Sequence, residues 1–350
     1  MNLIKPSLIA LLYLAGFMVF VEGALLTSFM FPTLWTYQPN PFVPQKIYRQ
    51  TRNVIQFMPE CAEYDTQLSY KMKNGVCVFS NMEFETTVKI VENRRVPAAD
   101  GATDPSEHLQ NRSCVIDFLG DSHSFGWGVE ARESFAHLTA EKMGCAYRNF
   151  GVSSYGTARE YLAYSTVAKP EAAEHFIILQ YSENDKSENH AFIQNGGDLS
   201  IMEKKEFIAK QKEHLQDRRY FFGKHSFVFF TAVVDNLKSM IVSQETHRSE
   251  TMSEEDNFFH ILKKIYELSK QAHLIVLEIN GTNQNDDTFL TKVANKVAAE
   301  ETTPMERVTF FDISEMLTQS DYYILDDHMN QSGHRKIADG LTDFMKGLIK

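Results

Sequence analysis

Cysteine is scarce in this chain: four occur among 350 residues, and no two lie close enough for a CxxC pair. The twelve histidines are scattered, and none falls in an HExxH pattern. Zinc knuckles and zincin-type sites need such spacings, so no metal or other cofactor is expected. Basic charge is also short, with 35 Lys and Arg against 46 Asp and Glu and a formal net charge of −11. Without a basic patch or run, the chain lacks the footprint of a nucleic-acid binder. Neither a Walker-type loop, nor GxGxxG, nor an internal repeat is found. What remains, 43% hydrophobic and 23% charged, suffices for one large globular domain with appendages.

The N-terminus is a targeting segment. After Lys5, an apolar run from Leu8 to Val21 is followed by Glu22 and a second run from Ala24 to Phe31. The first run alone fits the core of a signal peptide. The whole stretch is long enough to cross a bilayer as one helix, with Glu22 a costly charge near its outer third. Trp35 and Tyr37 would then suit the headgroup interface. Residues 1–34 are thus read as a signal peptide or, by preference, a transmembrane anchor. Both readings export the rest, to the periplasmic or extracellular side of the cytoplasmic (inner) membrane. In that oxidising setting an even number of cysteines suggests disulfides. Cys61 and Cys77 flank a compact segment and are the preferred pair; Cys114 and Cys145 are either a second pair or free buried thiols.

Chemistry concentrates around residues 120–129, which read GDSHSFGWGV after the apolar run Cys114–Leu119. Such a run, ended by glycine, predicts a core strand. Gly120 permits a sharp turn, and Ser122 falls where the next helix should begin. Unpaired N–H groups at a helix start stabilise an anion. Three further blocks follow. NFGVSSYGT spans 149–157, SEND spans 182–185 after the strand-like Phe176–Tyr181, and ILDDHMNQSGH spans 324–334.

These four blocks, in this order and at strand ends, resemble the SGNH (GDSL-type) hydrolases over roughly residues 113–345. The resemblance implies an α/β fold: a flavodoxin-like parallel sheet flanked by helices. It also implies Ser122 as nucleophile and His328 as base, because a serine hydroxyl attacks a carbonyl only as a neighbour removes its proton. A carboxylate should orient the histidine. The family usually places it three residues earlier, where this chain has Leu325. Asp326 is favoured, with Asp327 as the alternative. For the oxyanion, the resemblance implies the Ser122 N–H, the Asn184 side chain and a block II N–H, from Ser154 or alternatively Gly156. Ser182 replaces the usual glycine of its block. His123 is expected in the pocket wall, and His334 as a capping or surface residue. A GxSxG elbow is absent, because position 124 is serine.

Residues 35–112 read as a proline-bearing linker (38–60), a small β module (62–95) and a polar loop (96–112). Residues 113–350 form the hydrolase domain, with helices expected at 134–143, 157–168 and 255–271, and late strands at 273–279 and 308–313. A charged insertion at about 186–255 carries the apolar patch Phe227–Val234, read first as an ordinary buried helix or strand, with a lid or docking surface as the alternative. The expected activity is cleavage of an acyl ester, such as a carbohydrate O-acetyl, on a small molecule or polymer. One alternative is an O-acyltransferase acting on an envelope polysaccharide; another is an inactive polysaccharide-binding scaffold. The membrane is an expected partner through the N-terminal segment, nucleic acid is not, and protein partners are left open.

Overall fold

The computed structural model describes residues 4–31, 33, 42–98, 114–167, 174–242, 252–281, 288–302 and 304–349. Trp35, Tyr37 and most of the 96–112 loop lie outside these. In chain order the elements are α1 (Ile4–Met30), α2 (Phe42–Thr51), β1 (Ala62–Asp65), β2 (Ser69–Met72), β3 (Gly75–Ser80), β4 (Glu85–Val91) and β5 (Arg94–Val96). Then come β6 (Cys114–Leu119), α3 (Ser122–Phe125), α4 (Phe135–Met143), β7 (Ala146–Asn149), α5 (Thr157–Ser165), β8 (Glu174–Tyr181), α6 (Lys186–Gln194) and α7 (Lys204–Asp217). The chain closes with α8 (Lys224–Val242), α9 (Glu254–Leu268), β9 (His273–Glu278), α10 (Thr288–Ala298), β10 (Val308–Phe310) and α11 (Gln331–Leu348). It divides into two compact units.

The larger unit comprises Val54–Lys212, Thr251–Tyr323 and Asp327–Lys350. Its centre is a five-stranded sheet in the order β10-β9-β8-β6-β7, every neighbouring pair parallel. Numbered along the chain, that order is the 2-1-3-4-5 arrangement of flavodoxin-like sheets. Burial on both faces explains why β6 and β8 read as near-continuous apolar runs rather than alternating ones. On one face Ile116, Phe118, Ile178 and Ile275 pack with Phe135 and Ala140 of α4 and Ile337 and Leu341 of α11. On the other, Ile177, Leu179 and Val276 meet Ala158 of α5, Phe258 and Ile261 of α9, and Leu290 of α10. The expected α/β architecture is therefore present. Disulfides join Cys61 to Cys77 and Cys114 to Cys145. The second pair works because β6 and β7 are neighbours, with Val115 opposite Ala146.

The β module consists of an antiparallel pair β1-β2 and an antiparallel sheet β3-β4-β5. It belongs to the same compact unit as the large sheet. Phe79 sits edge-on to Trp127 at 4.6 Å between ring centroids. Arg95, fully buried, donates to the carbonyls of Phe125, Gly126 and Val129 at 2.5–2.6 Å. The module thus fixes the turn that follows Ser122.

The smaller unit holds Met1–Asn53, Glu213–Glu250 and Ile324–Asp326. Within α1, Leu8–Met30 has mean hydropathy 2.2 and is long and apolar enough to cross a membrane. Residues 38–60, read from sequence as a linker, contain a helix instead. Pro44 occupies the first turn of α2, where its missing N–H costs nothing, and Ile47 and Tyr48 are completely buried. The apolar patch Phe227–Val234 lies on α8, with Val228 buried and Phe227, Phe230 and Val234 exposed.

Candidate active site

β6 ends at Leu119, and the chain turns through Gly120 at φ +150°. A side chain there would collide with those of Ser124 and Gln180, so only glycine permits the turn. Asp121 caps the short helix α3, its Oδ1 accepting the N–H of His123 at 2.8 Å. Ser122 is the first residue of that helix. Its Oγ lies 2.7 Å from Nε2 of His328. Both side chains are buried, at 6% and 7% exposure, so the hydroxyl–imidazole contact works in a poorly solvated setting.

The carboxyl ends of β6 and β8 adjoin where the strand order reverses, the place where open α/β sheets bind ligands. The block after β8 is tied to the block after β6 through Asp121. Asp121 Oδ2 lies 3.0 Å from the Ser182 hydroxyl and accepts from Asn184 Nδ2 at 3.2 Å. Gln180 couples the same two turns, accepting from the Asp121 N–H at 3.1 Å and donating to Ser182 at 2.6 Å. Asn184 is itself exposed. One N–H of its amide is held by Asp121, which leaves the other for a ligand. A serine at 182 thus takes part in the network through its hydroxyl, which a glycine could not.

Block II is positioned by the β module. Tyr70 donates to the Ser153 carbonyl at 2.7 Å, and Gln56 Nε2 donates to Ser154 Oγ at 2.8 Å. Ser154 is held at φ +61°, an uncommon conformation for a non-glycine residue. Among the described residues, the backbone N–H groups of Ser122 and Ser154 donate to no protein acceptor. The N–H of Gly156 is engaged with Glu188 Oε1 at 2.9 Å. That contact removes the donor on which the Gly156 alternative depended.

The histidine end is set by a loop running into α11, which Asn330 caps through the N–H groups of Ser332 and Gly333. His328 Nδ1 lies 3.2 Å from Asp327 Oδ1. Asp326 is completely buried; Tyr48 donates to its Oδ2 at 2.5 Å and Arg52 to its Oδ1 at 3.1 Å.

His123 is buried beside His328, with ring centroids 4.9 Å apart. His334 is not a surface residue: it is 1% exposed, and Nδ1 accepts the N–H of Phe135 at 3.3 Å, capping α4. Burial pushes its pKa down to about 3, so the ring is neutral and can accept. Two residues given no role from sequence bear on the site, Trp127 inside the first block and Arg95 outside all four. Trp127 stacks on His328, and Arg95 holds the turn that carries Trp127.

Neither a protein-family model nor a curated protein matches the sequence. Among solved structures, the chain is similar to a family two carbohydrate esterase from Clostridium thermocellum in complex with cellohexaose. The identity is 14% and the TM-score 0.40, over 68% of this chain and 65% of that one. It is similar to a member of the lipolytic G-D-S-L family from Veillonella parvula at 13% identity and TM-score 0.38, over 67% and 98% of the chains. An acetyl xylan esterase, Est2A, from the rumen bacterium Butyrivibrio proteoclasticus matches at 15% identity and TM-score 0.39, over 68% and 64%. The chain spans just under two thirds of the length of the two carbohydrate esterases.

Proposed function

We propose that the chain is an SGNH-type serine hydrolase that cleaves acyl esters, most concretely the O-acetyl or similar ester of a carbohydrate. The observation that carries this reading is the 2.7 Å contact between Ser122 Oγ and His328 Nε2 at the sheet's switch point. Neutral His328 takes the Ser122 proton at Nε2 as Oγ attacks the ester carbonyl. The carbonyl electron pair moves onto oxygen, and the N–H groups of Ser122 and Ser154 and the Asn184 amide hold that oxyanion. When the pair returns, the C–O bond to the alcohol breaks and the imidazolium delivers its proton to the leaving oxygen. Water then attacks the acyl-serine, giving up a proton to His328. Collapse releases the carboxylic acid and restores the Ser122 hydroxyl.

A carboxylate from the Asp326-Asp327 pair orients the ring and stabilises the imidazolium. Asp326 is the favoured member, because full burial and two donors fix its carboxylate, whereas the Asp327 side chain is 26% exposed. The apolar α1 and two disulfides support an exported enzyme, and we infer that α1 keeps it anchored in the cytoplasmic membrane. The test is Ser122→Ala on nitrophenyl acetate with purified, folded protein. Turnover should fall by on the order of 10³-fold or more, because members of such a relay act as a unit. A fluorophosphonate should label Ser122 in the native chain. Undiminished turnover in the variant, or labelling elsewhere only, overturns the assignment.

A further inference from the structure

Glu22 sits within the most apolar stretch of α1, where an ionisable side chain is expensive unless it is partnered. It is 2% exposed. Oε1 accepts the N–H of His225 at 3.2 Å and lies 2.9 Å from His225 Nδ1. Oε2 accepts the N–H and hydroxyl of Ser226 at 2.8 and 2.7 Å. His225 and Ser226 are in the first turn of α8, so the carboxylate meets the free N–H groups and positive dipole end of that helix. Phe29 of α1 and Tyr220 each lie 5.6 Å from the His225 ring, centroid to centroid. The clamp therefore fixes the start of α8 about two turns, some 12 Å, short of the end of α1 at Met30.

Around this clamp the surface is apolar on both helices. Leu8 to Phe20 of α1 are largely exposed. So are Tyr220, Phe221, Phe222, Phe227 and Phe230, with Phe222 at 62% and Phe227 at 64%. Arg218 and Arg219, both exposed, precede them, in a chain whose overall charge is −11. Aromatic side chains next to arginines are what a headgroup boundary accommodates, and anionic lipid attracts such a basic cluster. A bilayer covers both apolar surfaces of this unit together.

We propose that the Arg218–Phe222 turn and the first turns of α8 are immersed in the same phospholipid bilayer that α1 crosses. Phe222, Phe227 and Phe230 contact acyl chains, and Arg218 and Arg219 contact phosphates. Glu22 is then the residue that pins this second membrane element to the first. The inference rests on the helices of one unit and is independent of the catalytic reading.

All four native cysteines are in disulfides, so an introduced thiol can be labelled alone. Full-length Phe222→Cys and Phe230→Cys, each carrying the fluorophore NBD, are reconstituted into phosphatidylcholine–phosphatidylglycerol vesicles. Lys205→Cys serves as the water-exposed control, its side chain being 84% exposed. At 222 and 230, emission should shift to the blue, doxyl-labelled lipid should quench it, and iodide should not; position 205 should show the reverse. Iodide quenching at 222 and 230 equal to that at 205 overturns the proposal. Shielding from both quenchers also overturns it, because it shows cover by protein, such as a second copy of the chain.

Discussion

Trp127 lies flat on His328, the ring centroids 4.6 Å apart and the planes 15° apart. The indole face stabilises the imidazolium more than the neutral ring, through its quadrupole. It also confines the ring to the plane in which Nε2 meets Ser122. Trp127 is in turn held by Phe79 and Phe84 of the β module and by the turn that Arg95 secures. A segment outside the parallel sheet therefore holds the ring that the proposed function makes the base.

Trp127→Phe keeps much of the packing while weakening the stack. About 0.5–1 kcal/mol of imidazolium stabilisation should be lost. The acid limb of the kcat/KM profile should therefore move to lower pH by a few tenths of a unit, with kcat reduced only several-fold. An unmoved limb would make Trp127 a packing residue and nothing more.

Asn184 makes a sharper test of the oxyanion site. Asn184 is exposed and contributes one 3.2 Å contact to the Asp121 network that Gln180 and Ser182 also hold, so Asn184→Ala should leave the fold intact. Removing one preorganised donor should lower kcat by about 10²–10³-fold with little change in KM. Asn184→Asp should be at least as damaging, since it sets a negative charge where the oxyanion forms. A rise in KM alone in either variant would indicate substrate binding rather than oxyanion stabilisation.

Glu160 and Asp185, the last residue of the SEND block, are two buried carboxyls that the proposed reaction does not use. Burial, and then the charges of Asp185 and Asp121, push the Glu160 pKa well above its ordinary 4.5. Burial and Asp121 likewise push Asp185 above 3.8. The folded chain thus keeps protons that the unfolded chain has released. Because it binds more protons, stability is fullest below the ordinary carboxylate range and falls as pH rises toward the folded values. Glu160→Gln should flatten that decline and raise the melting temperature at neutral pH, since a buried ionisable group without a partner is costly. Urea midpoints of both proteins across pH 4–8 check this; parallel curves would refute it.

How far the sequence discloses this molecule depends on whether a residue's role is local. β6 and β8 are legible because burial on both faces leaves an apolar run, and Ser122 because glycine and serine mark the turn that follows. The blocks at Asn184 and His328 can be read because each ends a strand or opens a helix. Arg95 gives no such signal, since its three acceptors are backbone carbonyls some thirty residues away. Glu22 reads only as a charge in an apolar run, because its partners stand two hundred residues downstream. The helix at Phe42–Thr51 is hidden by Pro44, which breaks a helix interior but not its first turn. Asp326 and Asp327 are adjacent in sequence; the structure separates them by burial and by partners, Asp327 lying against His328 Nδ1 and Asp326 against Tyr48 and Arg52.

That difference yields the last prediction. Asp326 is fully buried, and Tyr48 and Arg52 hold its carboxylate in one orientation, which is why the proposed function gives it the orienting role. Asp327 is within 3.2 Å of Nδ1, but its partial exposure lets water compete for the contact. Exchanging an orienting aspartate for asparagine costs about 10⁴ in kcat in the serine-protease case, through the wrong tautomer. Asp326→Asn should therefore lower kcat by several orders of magnitude, and Asp327→Asn by about tenfold or less. Thermal melts are needed beside the kinetics, because Asp326→Asn also removes the charge facing Arg52. A steep loss at 327 with a mild one at 326 would assign the orienting role to Asp327. Mild losses at both would mean that Ser122 and His328 work as a dyad.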